Sequence, residues 1–105
     1  MRITLKDNTI RLHLGQPEIE KFMSEGKVVG TSQLGPSLVQ SLRYSLLKDD
    51  EGDTVTATFI ANNIKVFVPT ELAEKWAQAD QKTLEEQMPL DEGEFLHILI
   101  EKDSE

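Results

Sequence analysis

Strand-like alternation places Arg2, Lys6, Arg11, His13, Arg43, Lys65 and His97 on the side of their segments opposite the Leu, Ile and Val residues. They make up five of the eleven Lys and Arg residues and both histidines, in a chain of formal net charge −8. Of the acids, only Glu101 is read on that side. Converging guanidinium and ammonium groups are what a phosphate or carboxylate requires. Arg2, Arg11, His13, Arg43, Lys65 and His97 are therefore the candidate anion-binding residues, and a sheet curling toward a barrel would gather them in a groove or tunnel. The competing reading is that long basic side chains keep an exposed sheet face solvated and discourage edge pairing. His13 and His97 also have the chemistry to bind metal or move protons. Each, however, sits singly among aliphatic residues without a carboxylate beside it in sequence.

Little else in the chain carries chemistry. No glycine-rich phosphate loop, nucleophile elbow or metal-ligand helix is present, and no serine has a recognisable catalytic context. No catalytic residue, metal site or cofactor is assigned. With no cysteine, disulfides, thiolate zinc sites and cysteine nucleophiles are excluded. Asp49, Asp50, Glu51 and Asp53 do not have the spacing of a calcium-binding EF-hand loop. With Glu85-Glu86, Asp91–Glu94 and the acidic end at 103–105 they read as solvated turns and ends. The negative charge disfavours nucleic acid and anionic membranes as partners. The first residues alternate and carry charge, unlike a signal peptide, and no run approaches membrane-spanning length, so cytoplasm is the expected location.

The elements that must position these groups centre on residues 54–79. Val55, Ala57, Phe59 and Ala61 alternate with Thr54, Thr56, Thr58 and Ile60, and Ile64, Val66 and Val68 alternate with Lys65 and Phe67. An Asn62-Asn63 turn would set Ala61 against Ile64 and Phe59 against Val66, with one apolar face. Pro69 ends the strand, Thr70 suits a helix cap, and Leu72, Ala73 and Trp76 form the helix stripe. The first segment follows the same plan. An Asp7-Asn8 turn pairs Leu5 with Ile10 and Ile3 with Leu12; Pro17 and Gly26 bracket a helix with an Ile19, Phe22, Met23 stripe. Residues 27–34 suggest a short strand, and 38–47 alternate with Leu38, Leu42, Tyr44 and Leu46 on one face. Residues 81–94 are weakly patterned, with Leu84 and Met88 extending a helix or anchoring a loop. Residues 95–102 are apolar on both faces and read as an interior strand, or one covered by a partner.

The two segments match at a fixed offset of 54 positions: Asn8 with Asn62, Ile10 with Ile64, Glu20-Lys21-Phe22 with Glu74-Lys75-Trp76, Leu42 with Leu96, and Lys48-Asp49 with Lys102-Asp103. This is the signature of a duplicated ββα-β(β) unit, 1–50 and 55–104, within one domain. Neither half alone buries its sheet face. Phe67, Phe95, Leu47 and Leu99 lie off the core face and suggest an apolar patch covered by a second copy of the chain.

At Asn8–Leu14, Ile64–Pro69 and Ile98–Asp103 the chain resembles a family of small uncharacterised bacterial proteins, a likeness that covers nearly its whole length and implies no activity. Chains of that family often continue past Glu-Lys-Asp with cysteines; this one stops at Glu105, so no metal role is carried over. Strands flanking each helix of a duplicated unit also resemble a reduced CYTH-type triphosphate tunnel fold. Those enzymes use alternating glutamates and a lysine on a strand. Glu18-Ile-Glu20-Lys21 has the letters, but its spacing is one residue short and it falls where a helix is expected, so no catalytic role transfers. The expected fold is α+β: a mostly antiparallel sheet of seven or eight strands with two helices on one face. The expected function is a non-enzymatic binding or assembly protein, homodimeric or with a protein partner, using the sheet face opposite the helices. The alternative is an enzyme or sensor for a phosphorylated or polyanionic small molecule.

Overall fold

The computed structural model describes residues 1–103; Ser104 and Glu105 of the acidic end lie outside the described residues. The strands are Arg2–Lys6 (β1), Thr9–Leu14 (β2), Lys27–Gln33 (β3), Ser41–Asp49 (β4), Thr56–Ile60 (β5), Asn63–Pro69 (β6), Thr83–Pro89 (β7) and Phe95–Lys102 (β8), and the helices Gln16–Glu25 (α1) and Thr70–Gln78 (α2). In the first hairpin Asp7 and Asn8 take φ 49° and 58°, and Leu5 faces Ile10 and Ile3 faces Leu12 as expected. The second hairpin turns one residue earlier than expected. Ala61 and Asn62 take φ 51° and 63°, so Phe59 faces Ile64 and Ala57 faces Val66. The pairing slips by two residues, and the period-2 alternation keeps the same side chains inward.

The strands form two four-stranded sheets, β1-β2-β8-β7 and β3-β4-β6-β5, rather than the single, mostly antiparallel sheet expected. Each is mixed. A central parallel pair, β2 with β8 or β4 with β6, is flanked by antiparallel edge strands. Alternation along a strand specifies its buried face but not its neighbour, and each parallel pair joins strands with a helix or a further strand between them in sequence. The interior reading of residues 95–102 holds: β8 lies between β2 and β7. Residues 83–89, weakly patterned in sequence, form an edge strand, where polar side chains blunt the open side.

The inward residues of both sheets share one core with the helix stripes. α1 follows β2 of one sheet and leads into β3 of the other; α2 follows β6 and leads back to β7. The helices thus bridge the two sheets at the end where the four central strands finish. Phe22 is fully buried and Trp76 1% exposed there. Burying a side chain of that size stabilises by about 1.5–3 kcal/mol. The Trp76 indole N–H donates to the Lys82 carbonyl at 3.2 Å, and Lys102 Nζ lies 5.5 Å from the ring centre. Gly26 ends α1 at φ 79°, a conformation that suits glycine. Gly30 is required for another reason: a Cβ there would lie 2.3 Å from the Tyr44 ring, which packs over the β3 backbone.

Candidate functional site

Because the core faces inward, the basic side chains fall on two different outer faces. Arg2, Arg11, His13 and His97 belong to β1, β2 and β8 of the first sheet, whereas Arg43 and Lys65 belong to β4 and β6 of the second. The six anion-site candidates therefore do not share one face. On the first sheet Arg2 stands opposite His13, Thr4 opposite Arg11 and Lys6 opposite Thr9. These six side chains, with Asp7, line a groove of about 560 Å³.

Acids crowd the helix-side end of this groove, beyond the single Glu101 expected. Arg11 Nη1 donates to both Glu101 carboxylate oxygens at 3.3 and 3.4 Å, and the Thr83 hydroxyl donates to Glu101 at 3.3 Å. His13 Nδ1 lies 3.4 Å from Glu101 and 3.7 Å from Asp103, and Arg2 Nη2 donates to Asp103 at 2.9 Å. His13 Nε2 is 3.5 Å from the Thr4 hydroxyl. His13 is thus a paired histidine, not one isolated among aliphatics. Burial pushes the nearby Met1 α-amino group below its ordinary pKa; Asp103 opposes the shift and Arg2 adds to it. Among the described residues no three His, Asp or Glu side chains are grouped to hold a metal ion.

The larger surprise lies between the sheets at the end away from the helices. There Leu5, Ile10 and Leu96 of the first sheet and Leu42, Phe59 and Ile64 of the second, with Met88 and Leu90 alongside, line an apolar pocket of about 400 Å³. Both hairpin turns and the starts of β4 and β8 lie at this end. Leu5 is 50% exposed and Phe59 67%. Beside the mouth, Leu34, Leu38 and Val39 of the β3–β4 connection and Ile60 of the hairpin are also largely exposed. Sequence alternation placed Leu5, Phe59, Leu42 and Leu96 in the core. They do face inward, but among the described residues no element covers them at this end. The signal available in sequence was their position at the strand ends farthest from the helices. The expected patch of Phe67, Phe95, Leu47 and Leu99 is divided: Leu47 and Phe67 are neighbours on the second sheet, while Phe95 and Leu99 lie on β8 of the first.

Fold and site together define a small α+β protein of two mixed four-stranded sheets bridged by two helices, with an apolar pocket at the open end. The chain belongs to a family of unknown function, DUF7009, which it matches along residues 1–105. No curated protein and no solved structure matches it. The likeness to an uncharacterised family is thereby shown, whereas the CYTH likeness finds no match, and Glu18, Glu20 and Lys21 lie on α1 rather than on a strand. No helix among the described residues is long and apolar enough to cross a membrane.

Proposed function

We propose that this chain is a small non-enzymatic binding or assembly protein whose recognition surface is the apolar pocket at the open end of the two sheets. The observation that carries this reading is the combination of volume and lining. The pocket measures about 400 Å³ and is walled almost wholly by aliphatic and aromatic side chains. Small-molecule sites run from roughly 300 to 1,000 Å³, and an apolar cavity of about 150 Å³ suffices to hold benzene. The occupant is then an apolar group with its polar part in solvent, carried either by a small molecule or by a second copy of the chain.

Titration with N-phenyl-1-naphthylamine, an uncharged dye that brightens in apolar sites, tests the reading, with displacement by dodecanol and sedimentation at several concentrations in parallel. Saturable dye binding, or self-association, that is lost in both Leu5→Glu and Phe59→Glu supports it. Neither behaviour in the native chain, or either one unchanged in both variants, overturns it. Each substitution is at a rim side chain at least half exposed, so the fold tolerates it.

A duplicated unit underlies the pocket in this reading. At the offset of 54 positions β1 meets β5, β2 meets β6, α1 meets α2 and β4 meets β8. Leu5 and Phe59, Ile10 and Ile64, and Leu42 and Leu96 then meet across the pocket. Lys48 donates to the Met23 carbonyl at 2.9 Å in the last turn of α1, and Lys102 donates to the Ala79 carbonyl at 2.7 Å just past α2. Each sheet would take one hairpin from each copy, which explains why neither half closes a core by itself.

A further inference from the structure

We propose a second site, independent of the apolar pocket: the outer face of β1 and β2 binds a compact anion, an inorganic phosphate or phosphomonoester group, between Lys6 and Arg11. Lys6 faces Thr9 and Arg11 faces Thr4 in adjacent cross-strand rows. Diagonal neighbours across an antiparallel pair lie about 7–8 Å apart, so two long cationic side chains can both reach a group held between them. The two threonine hydroxyls stand on the same face. Their present contacts are long, 3.4 Å from Thr9 to the Asp7 carbonyl and 3.5 Å between Thr4 and His13, which leaves both hydroxyls able to turn toward a ligand. Lys6 enters no salt bridge among the described residues.

The acids at the other end of the groove set the ligand class. Glu101 engages Arg11 through one guanidinium nitrogen, Nη1, and leaves its other donors for a ligand. That pairing also fixes the Arg11 side chain in place, which lowers the entropy cost of binding. Asp103 occupies Arg2, and both carboxylates lie beside His13. An extended polyanion running along the groove from Lys6 toward Arg2 would meet both carboxylates, whereas a single tetrahedral anion on the Lys6 side of Arg11 would meet only Glu101, and that one already neutralised in part by Arg11. Asp7 at the turn limits the site from the other side. Of the phosphorylated or polyanionic ligands expected from sequence, this site takes the compact, singly phosphorylated kind. Arg43 and Lys65, on the other sheet, take no part.

Isothermal titration at fixed ionic strength tests this with inorganic phosphate, phenyl phosphate and inorganic triphosphate. The expected result is saturable binding of phosphate and phenyl phosphate, with triphosphate binding no tighter. Lys6→Gln, at an exposed and unpaired position that the fold tolerates, is expected to weaken phosphate about tenfold, the scale of one charge-assisted hydrogen bond. Lys65→Gln removes the same charge from the other sheet and is expected to change nothing. Absence of saturable phosphate binding, equal losses in the two variants, or triphosphate binding that grows with its charge would each overturn the proposal. Dye binding in the apolar pocket is unaffected by either variant, so the two sites stand or fall separately.

Discussion

Two phenylalanines on inward-facing positions provide the most discriminating perturbation. Phe22 of α1 is fully buried, whereas Phe59 of β5 is 67% exposed at the pocket mouth. Truncating a fully buried phenylalanine to alanine costs about 3–5 kcal/mol, so Phe22→Ala removes much of the stability of a domain of this size. Full burial of such a side chain contributes about 1.5–3 kcal/mol, and only a third of Phe59 is covered, so Phe59→Ala should cost roughly 0.5–1 kcal/mol. The uncovered two thirds is the part an occupant would cover. Its loss should weaken an apolar ligand by roughly 1–2 kcal/mol, about 5- to 30-fold in affinity. Urea unfolding of both variants and N-phenyl-1-naphthylamine titration of Phe59→Ala measure the two quantities. A Phe59→Ala variant as unstable as Phe22→Ala would mean that the mouth is closed in solution. A dye affinity within twofold of the native chain would mean that Phe59 does not line the binding site.

Other substitutions test the frame around the sites. Ala61 is held at φ 51°, which costs an ordinary side chain about 1–2 kcal/mol, so Ala61→Asn should raise the urea midpoint, by up to about 1 kcal/mol in stability. Gly30→Val forces side-chain atoms into the Tyr44 ring and should destabilise by about 1–3 kcal/mol in the same assay. Glu101→Gln removes the charge to which Arg11 and Thr83 donate and beside which His13 lies; with Glu101 only 14% exposed, thermal unfolding should show a loss of about 1–3 kcal/mol. Arg2→Ala breaks an ion pair at a 72% exposed side chain and should change stability by less than about 1 kcal/mol.

Local structure was legible where neighbouring residues determine it. The Asp7-Asn8 turn, the Pro17 and Gly26 limits of α1 and both helix stripes follow from residue type and spacing. The second turn was misplaced by preferring Asn62-Asn63 for its two asparagines. The offset of 54 already set Asn62 against Asn8, the second turn residue, which gives the Ala61-Asn62 turn that is seen. Local preference misled there because Ala61 is a poor left-handed residue, held in place by the pairing of Ile60 with Asn63. β7 was illegible for a different cause. Its inward row is Leu84, Glu86 and Met88, so a glutamate interrupts the apolar alternation that an interior strand would show.

The sites depended on what sequence pattern does not encode, namely which strand lies beside which. Alternation correctly put Arg11 and Arg43 on the faces away from the core, but the parallel pairs β2·β8 and β4·β6 placed them on separate sheets. The same pairing brought Glu101, some ninety residues distant in the chain, within hydrogen-bonding reach of Arg11. A groove that its basic residues alone would make cationic is thus acid-buffered by Glu101 and Asp103 at the Arg2 end, with Asp7 at the turn beside Lys6. The division into two sheets has a converse effect on the apolar residues. Eight strands in one open sheet would expose one broad apolar face, which two helices of ten and nine residues could not cover. Split into two facing sheets, the strands cover each other, and the helices need close only one end. What remains uncovered is the opposite end, where Leu5, Leu42, Phe59 and Leu96 meet. The pocket is therefore a consequence of how the core is closed, and filling its mouth with charge should cost little stability while abolishing whatever occupies it.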